Sequence, residues 1–262
     1  MKSRLINMNK EEYIEAVNGL RKVQKTLNDI NIWSTFAISS LKIIEENEEM
    51  INGFSEYPVP SAIKGKKVKR KPEQVKESIR QAYTTEVYKA LVVYVVSLVE
   101  PVLMEFVRLT LLYDKRRMKS KPKGCEKQLD YDTIVDCDDY DGIVNIIISK
   151  YVDALSYSKP QEQLEYLTKL LSITIDDDDW NSWIEIKATR DLIVHNSGVI
   201  NRVYLEKVGT SARGQLGEKI VVDNNYYDHV IIISKSLIGS IASRIVKELN
   251  KDGKEKSSTL EK

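Results

Sequence analysis

Six consecutive residues, Arg190 to His195, combine side chains that phosphodiester chemistry requires. An arginine is a permanent cation that binds phosphate oxygens, and a histidine exchanges a proton near neutral pH. On an α-helix, Arg190 and His195 lie ~140° apart around the axis and ~7.5 Å apart along it. Asp191 and His195 are four residues apart and share a helix face, so we expect the carboxylate to orient the imidazole.

The sequence around these residues predicts a helix from about residue 180 to 196. The run Asp176 to Asp179 precedes it and supplies an N-cap, although four carboxylates could instead hold a divalent cation. Gly198 can end the helix. Apolar residues on two opposite sides predict packing between layers, with Asp191 and His195 facing packed protein rather than open solvent.

In this setting the motif resembles that of the HEPN family, the higher eukaryote and prokaryote nucleotide-binding domains. Its members are α-helical bundles in which a histidine follows an arginine at a distance of four to six residues. The matching residues here are Arg190, Asp191 and His195, with four residues between the arginine and the histidine (RX4H), and Asn196 follows directly. The resemblance covers residues 73 to 250.

The resemblance implies a metal-independent endoribonuclease of a toxin–antitoxin or antiphage defence system, with RNA as substrate and no cofactor. It also implies a homodimer in which both motifs face each other. Helix geometry favours this independently, because Arg190 and His195 of one helix converge poorly on one phosphate, whereas two copies related by a twofold axis can surround it. We expect His195 to act as general base or acid, Arg190 to stabilise the transition-state charge, Asp191 to fix the imidazole and Asn196 to support the site.

Two other interpretations remain open. The chain can be a catalytically inactive HEPN-like module that binds a partner protein or a nucleotide. It can also be a structural helical bundle whose motif is coincidental, which a monomer with His195 buried against its own core would favour. In the enzyme interpretation, an antitoxin or a sensor protein is the expected regulator.

Charge is balanced overall, with 40 basic and 39 acidic residues, but it is locally segregated. Six positive charges fall within residues 64–71 and six within residues 115–123. These runs either follow an RNA backbone or are solvated loops, and no aromatic residues interleave with them to stack on bases. The candidate RNA-binding residues are Lys66, Lys67, Lys69, Arg70, Lys71, Arg116 and Arg117.

The rest of the chain predicts an all-α helical bundle of the HEPN type. Residues 1–72 form an N-terminal helix and the basic loop, residues 73–250 form the bundle, and residues 251–262 are a charged tail that we expect to be disordered. Within the bundle, β-prone segments between residues 201 and 223 predict a small extended or hairpin insert before the last helix, which spans residues 225–250.

Pro72 suits the first position of a long helix that is predicted to reach about residue 117. Its apolar part, residues 87–113, is interrupted by charged residues, which predicts a buried helix and no membrane span. No apolar leader follows Met1, and the two cysteines lack metal-ligand spacing. We therefore expect a cytoplasmic protein without a metal site.

Overall fold

A computed structural model describes residues 8–53, 56–126 and 128–259, with side chains up to residue 251. It is an all-α helical bundle, as predicted, with one two-stranded antiparallel sheet among the described residues. The helices are α1 (Lys10–Leu20), α2 (Lys22–Glu46), α3 (Glu48–Asn52), α4 (Pro72–Gln81), α5 (Val87–Tyr113), α6 (Tyr131–Val135), α7 (Tyr140–Tyr157), α8 (Pro160–Leu171), α9 (Asp177–His195), α10 (Arg202–Val208) and α11 (Asn224–Thr259).

A long helical unit runs through the centre of the bundle. A π-helical turn, Ala82–Glu86, joins α4 to α5, and the unit spans 42 residues from Pro72 to Tyr113. Pro72 occupies the first turn, as predicted, because its missing N–H is unpaired there in any helix. Helices α1, α7, α8, α9 and α11 pack around α5, whose side chains form much of the core.

The N-terminal region is helical, as predicted, but is divided into α1, α2 and α3. Asn9 caps α1 by accepting a hydrogen bond from the Glu12 amide at 2.9 Å. The hydroxyl of Tyr13 lies 2.6 Å from that of Thr110 on α5, and burial raises the pKa of Tyr13 to about 12. Helices α1 and α2 thus share one core with α5 and α11.

The basic loop contains a short hairpin that the sequence did not predict. Strands β1 (Glu56–Pro58) and β2 (Lys67–Lys69) pair antiparallel, with Tyr57 opposite Val68. The basic side chains of this hairpin are exposed.

Of the predicted extended or hairpin insert between residues 201 and 223, the hairpin does not form. Residues 203–205 lie in α10, because Asn201 caps that helix by accepting from the Tyr204 amide at 2.9 Å, and this local cap outweighs their β-propensity. Extended pairing occurs nearby instead, as an isolated bridge between Val199 and Lys219.

Helix α11 extends beyond the predicted end at residue 250. Its backbone is helical to Thr259, which covers most of the segment predicted to be disordered, and residues 260–262 lie outside the described residues. The tail is rich in lysine and glutamate, which favour helix.

Two helices are long and apolar enough by composition to cross a membrane, residues 72–113 and 224–251. Within the protein, 44% and 50% of their most apolar windows are buried. The core helix of a soluble protein has the same length and composition, so these helices do not identify a membrane protein.

Candidate active site at the end of helix α9

Helix α9 begins at the acidic run and ends at His195. The Asp176 side chain accepts from the amides of Asp178 and Asp179 at 3.1 Å, which confirms its predicted capping role. Among the described residues, no group of three or more His, Cys, Asp or Glu side chains could hold a metal ion. At the other end, the Gly198 amide donates to the Leu192 carbonyl at 2.8 Å and closes the helix, as predicted.

The helix is sandwiched, as its two apolar sides predicted. It contacts α5, α10 and α11, and Trp180, Trp183 and Ile186 are almost fully buried. The prediction that His195 faces packed protein is wrong within one protomer, because its side chain is exposed. Leu192 in the last turn of α9 is still buried, whereas the two residues that end the helix lie at the surface, and Val194 is 51% exposed.

Arg190 is held by Glu100 of α5. Its Nη2 lies 2.6 Å from Glu100 Oε2, and Lys187 Nζ lies 2.8 Å from the other oxygen of the same carboxylate. A bond of this kind between charged groups fixes the direction of the guanidinium. Glu100 was not among the predicted site residues, although a carboxylate in an apolar helix is a visible signal.

Asp191 does not orient His195, so this part of the predicted site is wrong. Its carboxylate lies 3.1 Å from Lys207 Nζ and 3.2 Å from Arg190 Nη1, and the described residues include no hydrogen bond between Asp191 and His195. Lys207 comes from α10, the helix that took the place of the predicted strand. That unexpected helix supplies the cation that engages the carboxylate.

Asn196 is engaged in the backbone turn that follows the helix. Its Nδ2 donates to the Val199 carbonyl at 2.6 Å, in a turn where Ser197 and Gly198 both have positive φ. The predicted supporting role of Asn196 at the site therefore becomes a role in fixing the turn directly after His195.

A buried carboxylate of α9, that of Glu185, anchors the segment between α9 and α11. Glu185 is 4% exposed, and its oxygens accept from Thr189 at 2.6 Å and from Tyr204, Arg213 and Tyr226 at 2.8 Å each. Burial, followed by the proximity of Glu185, raises the pKa of Tyr204 to about 12. This network holds α10, and with it Lys207, against α9.

A cleft of about 390 Å³ lies next to the Arg190 ion pair. Glu100 and Lys187 line the side nearest Arg190, and Pro101, Met104 and Arg108 line another part. The cleft therefore offers apolar surface and charges of both signs within reach of the motif.

The two predicted basic segments do not form one surface. The hairpin with Lys66, Lys67 and Lys69 precedes the central helical unit, and Arg116 and Arg117 follow it. A helix of that length is roughly 60 Å long, at 1.5 Å per residue. The two segments therefore lie at opposite ends of the bundle.

The basic residues also differ in how they are engaged. Lys67 and Lys69 lie 3.6 and 3.7 Å from Glu56, and all the candidate residues from Lys66 to Lys71 are exposed. Arg116 is exposed and lies 2.9 Å from Asp114. Arg117 donates to the Leu170 carbonyl and, at 3.1 Å, to Ser172, so it serves to hold α8 in place.

Comparison of the chain with protein-family models, with curated proteins and with solved structures found no match.

Proposed function

We propose that this protein is a metal-independent endoribonuclease of a toxin–antitoxin or antiphage defence system, with a composite arginine–histidine site at a homodimer interface. The observation that carries the proposal is the exposure of His195 at the end of α9, one and a half turns after an Arg190 whose guanidinium is already fixed. A coincidental structural histidine would be expected against the protomer's own core.

The proposed reaction is attack of a ribose 2′-oxygen on the adjacent phosphorus. His195 of one protomer takes the proton of the 2′-hydroxyl, and its twofold-related copy gives a proton to the departing 5′-oxygen. Arg190 stabilises the charge that develops on the phosphate oxygens. The products are a 2′,3′-cyclic phosphate and a free 5′-hydroxyl, and no cofactor takes part.

Two features support a site shared between protomers. Val194, 51% exposed, lies between Arg190 and His195 around the helix axis, and Val203 of α10, 57% exposed, lies one turn from Lys207. Apolar side chains around a polar pair are typical of the core of an interface. Both valines would be covered when two copies of α9 meet.

The charge of this surface suits an anionic substrate. Lys187, Arg190 and Lys207 face the carboxylates of Glu100 and Asp191, which leaves one excess positive charge in each protomer before His195 is protonated. A dimer doubles that excess at one place, which attracts a phosphodiester backbone. The exposed hairpin residues Lys66, Lys67, Lys69, Arg70 and Lys71 are a proposed second contact for longer RNA.

A second function is favoured by one specific observation: Arg190 is engaged by two carboxylates, Glu100 and Asp191. An arginine saturated in this way suits a catalytically inactive HEPN-like module that binds a partner protein or a nucleotide. The nuclease requires that a substrate phosphate compete for one of these bonds. In either case we propose a cytoplasmic protein regulated by an antitoxin or a sensor protein.

The test is cleavage of RNA by the purified protein in EDTA, with analysis of the product ends. We expect wild type to produce 2′,3′-cyclic phosphates, to leave a substrate with a 2′-deoxy residue at the cleavage position intact, and to lose activity by a factor of roughly 10² or more in His195→Ala and Arg190→Ala. Equal cleavage by all three proteins, or loss of cleavage on chelation, would contradict the mechanism. RNA or nucleotide binding without cleavage would favour the inactive module.

A further inference from the structure

Helix α2 has two apolar faces, and only one of them is packed among the described residues. Its inner face buries Leu27, Ile30 and Ile38 against the bundle. Its outer face carries four large apolar side chains within a sector of ~100°, over a length of ~16 Å. We call this outer face the α2 stripe; it consists of Ile32, Trp33, Phe36 and Ile43, which are 56%, 48%, 70% and 64% exposed.

The stripe widens onto the neighbouring helix. Lys235 of α11 donates to the Asn28 side chain of α2 at 2.6 Å. Ile232, 63% exposed, precedes Lys235 by about one turn, and Ile32 follows Asn28 by about one turn. Single exposed apolar residues are ordinary on a protein surface, whereas a contiguous patch of this kind marks an interaction site.

We propose that the α2 stripe binds the same stripe of a second copy of this chain, with the two α2 helices antiparallel about a twofold axis near Phe36. In such an isologous contact, every residue on one side of the axis meets a residue from the other side. Phe36 then faces its own copy, and Ile32 and Trp33 of each copy lie over the small side chains of Ser40 and Ser39 of the other.

The charges along α2 favour a second copy of the chain as the partner and an antiparallel direction of pairing. Lys22 and Lys25, near its first turns, lie within ~40° of Phe36 around the axis, and Glu46 at its last turn lies at the edge of the same face. None of the three has an ion-pair partner within the described part of the protein. Antiparallel pairing brings Lys25 of each copy opposite Glu46 of the other, whereas parallel pairing would set like charges together.

The residues beside the stripe argue against a membrane or RNA as the occupant. Asp29 and Ser40 lie within the same sector of the helix as the apolar side chains, Thr35 and Ser39 lie beside it, and all four are exposed. Lys22 and Lys25 lie only at the first turns of α2, whereas a helix that lies on an anionic membrane carries lysine and arginine along its whole apolar border, and an RNA-binding surface requires basic residues among its contacts. Hydroxyl-bearing and small residues instead allow two helices to approach closely.

This pairing is independent of the proposed nuclease activity and of the interface at α9. Helix α2 packs against α4, α5 and α11, whereas His195 lies at the end of α9. A chain that uses both contacts forms assemblies larger than a dimer, because the two twofold axes are different. Disruption of the α2 stripe should therefore reduce the size of the assembly and leave the proposed interface at α9 intact.

The first experiment compares the molar mass in solution of wild type, Phe36→Glu and Tyr157→Glu by light scattering over a dilution series. We expect Phe36→Glu to halve the mass of the largest species. Tyr157 is 92% exposed and lies outside the stripe, so Tyr157→Glu controls for the loss of any exposed apolar group. Wild type and Phe36→Glu of equal mass, with unchanged helical content, would overturn the proposal.

The second experiment tests the direction of pairing by oxidative cross-linking. We expect Phe36→Cys to form disulfide-linked dimers, because the two copies of that position meet at the axis. Lys22→Cys should not cross-link, since its copies would be ~42 Å apart in antiparallel helices. Equal cross-linking of both variants would show parallel pairing and overturn the proposal, as would Phe36-dependent binding to phosphatidylglycerol vesicles by a chain that stays monomeric.

A charge exchange provides the matched control. Lys25→Glu and Glu46→Lys should each weaken the association several-fold, and the double variant should restore it. Failure of the double variant to recover would contradict the antiparallel contact. If Phe36→Glu cleaves RNA at the wild-type rate, the proposed nuclease activity does not depend on the α2 stripe. If His195→Ala loses cleavage but keeps the wild-type molar mass, the pairing of the stripe does not depend on the nuclease site. The two proposals can therefore fail separately.

Discussion

Helix α9 takes part in two glutamate–arginine pairs, and they differ in how much water reaches the carboxylate. In the pair of Glu185 and Arg213, the carboxylate side chain is 5% exposed and the arginine side chain is 27% exposed. The pair of Glu100 and Arg190 lies at the surface, with side chains 30% and 25% exposed. Both are short, at 2.8 and 2.6 Å, so distance alone does not distinguish a structural pair from a functional one.

The number of donors to each carboxylate does distinguish them. Glu185 accepts hydrogen bonds from four side chains of the protein, which satisfies a buried charge and leaves no place for a ligand. Glu100 accepts from Lys187 and Arg190, and its surroundings open to the cleft. A saturated buried carboxylate specifies the fold, whereas a partly exposed pair leaves room for the exchange of a partner that the proposed function requires.

The largest expected effect comes from breaking the buried pair. We expect Glu185→Ala to lower the free energy of unfolding by about 3 kcal/mol, because Arg213 loses its partner and the hydroxyls of Tyr204 and Tyr226 lose their acceptor. The measurement is urea unfolding followed by circular dichroism. Glu100→Ala is the matched variant of the exposed pair, and it should cost less than about 1 kcal/mol. Equal costs would remove the distinction between the two pairs.

The second prediction uses the tyrosines around Glu185. Burial raises the pKa of Tyr204 to about 12, so below pH 10 the phenol is neutral in both the folded and the unfolded chain. Between pH 10 and 12 the unfolded chain releases the proton while the folded chain keeps it, and the free energy of unfolding falls.

Tyr204→Phe should remove this contribution, about 2 kcal/mol between pH 10 and 12, whatever it costs at neutral pH. The measurement is the slope of unfolding free energy against pH for wild type, Tyr204→Phe and the exposed control Tyr157→Phe. Identical slopes for all three would mean that the network around Glu185 does not exclude water as its contacts indicate.

The sequence predicted the all-α class, the capped helix α9 and the turn at Gly198, because these depend on neighbours within a few residues. Glu100 lies 90 residues from Arg190, and their contact depends on how α5 packs against α9, which local patterns do not encode. The β-prone residues 203–205 are helical for a different, local reason, because the Asn201 cap outweighs their β-propensity.

A contact between two helices is also the reason why the predicted pairing of Asp191 with His195 is wrong. Asp191 and His195 share a helix face, so spacing alone pairs them, but Lys207 comes from another helix and its ammonium lies 3.1 Å from the Asp191 carboxylate. The apolar residues of α2 are visible in the sequence, yet the sequence does not say which of its two faces the bundle covers.

The smallest expected effect concerns the exposed pair and sharpens its assignment. Glu100→Gln keeps the shape of the side chain and removes the charge that directs Arg190 and Lys187, so we expect RNA cleavage to fall about tenfold with little change in unfolding free energy. Glu105→Gln is the control on the same helix, because Glu105 binds Arg108 at 2.7 Å with similar exposure and does not contact Arg190.

If Glu100 only positions Arg190, the pH profile of cleavage should keep its wild-type shape in Glu100→Gln, since in the proposed reaction His195 carries the proton transfer. If Arg190 is instead held away from substrate by Glu100, the variant should cleave faster than wild type. Faster cleavage would mean that Glu100 restrains Arg190 and does not position it for catalysis. An equal loss of cleavage in Glu105→Gln would show that the charge of the cleft matters rather than the contact with Arg190.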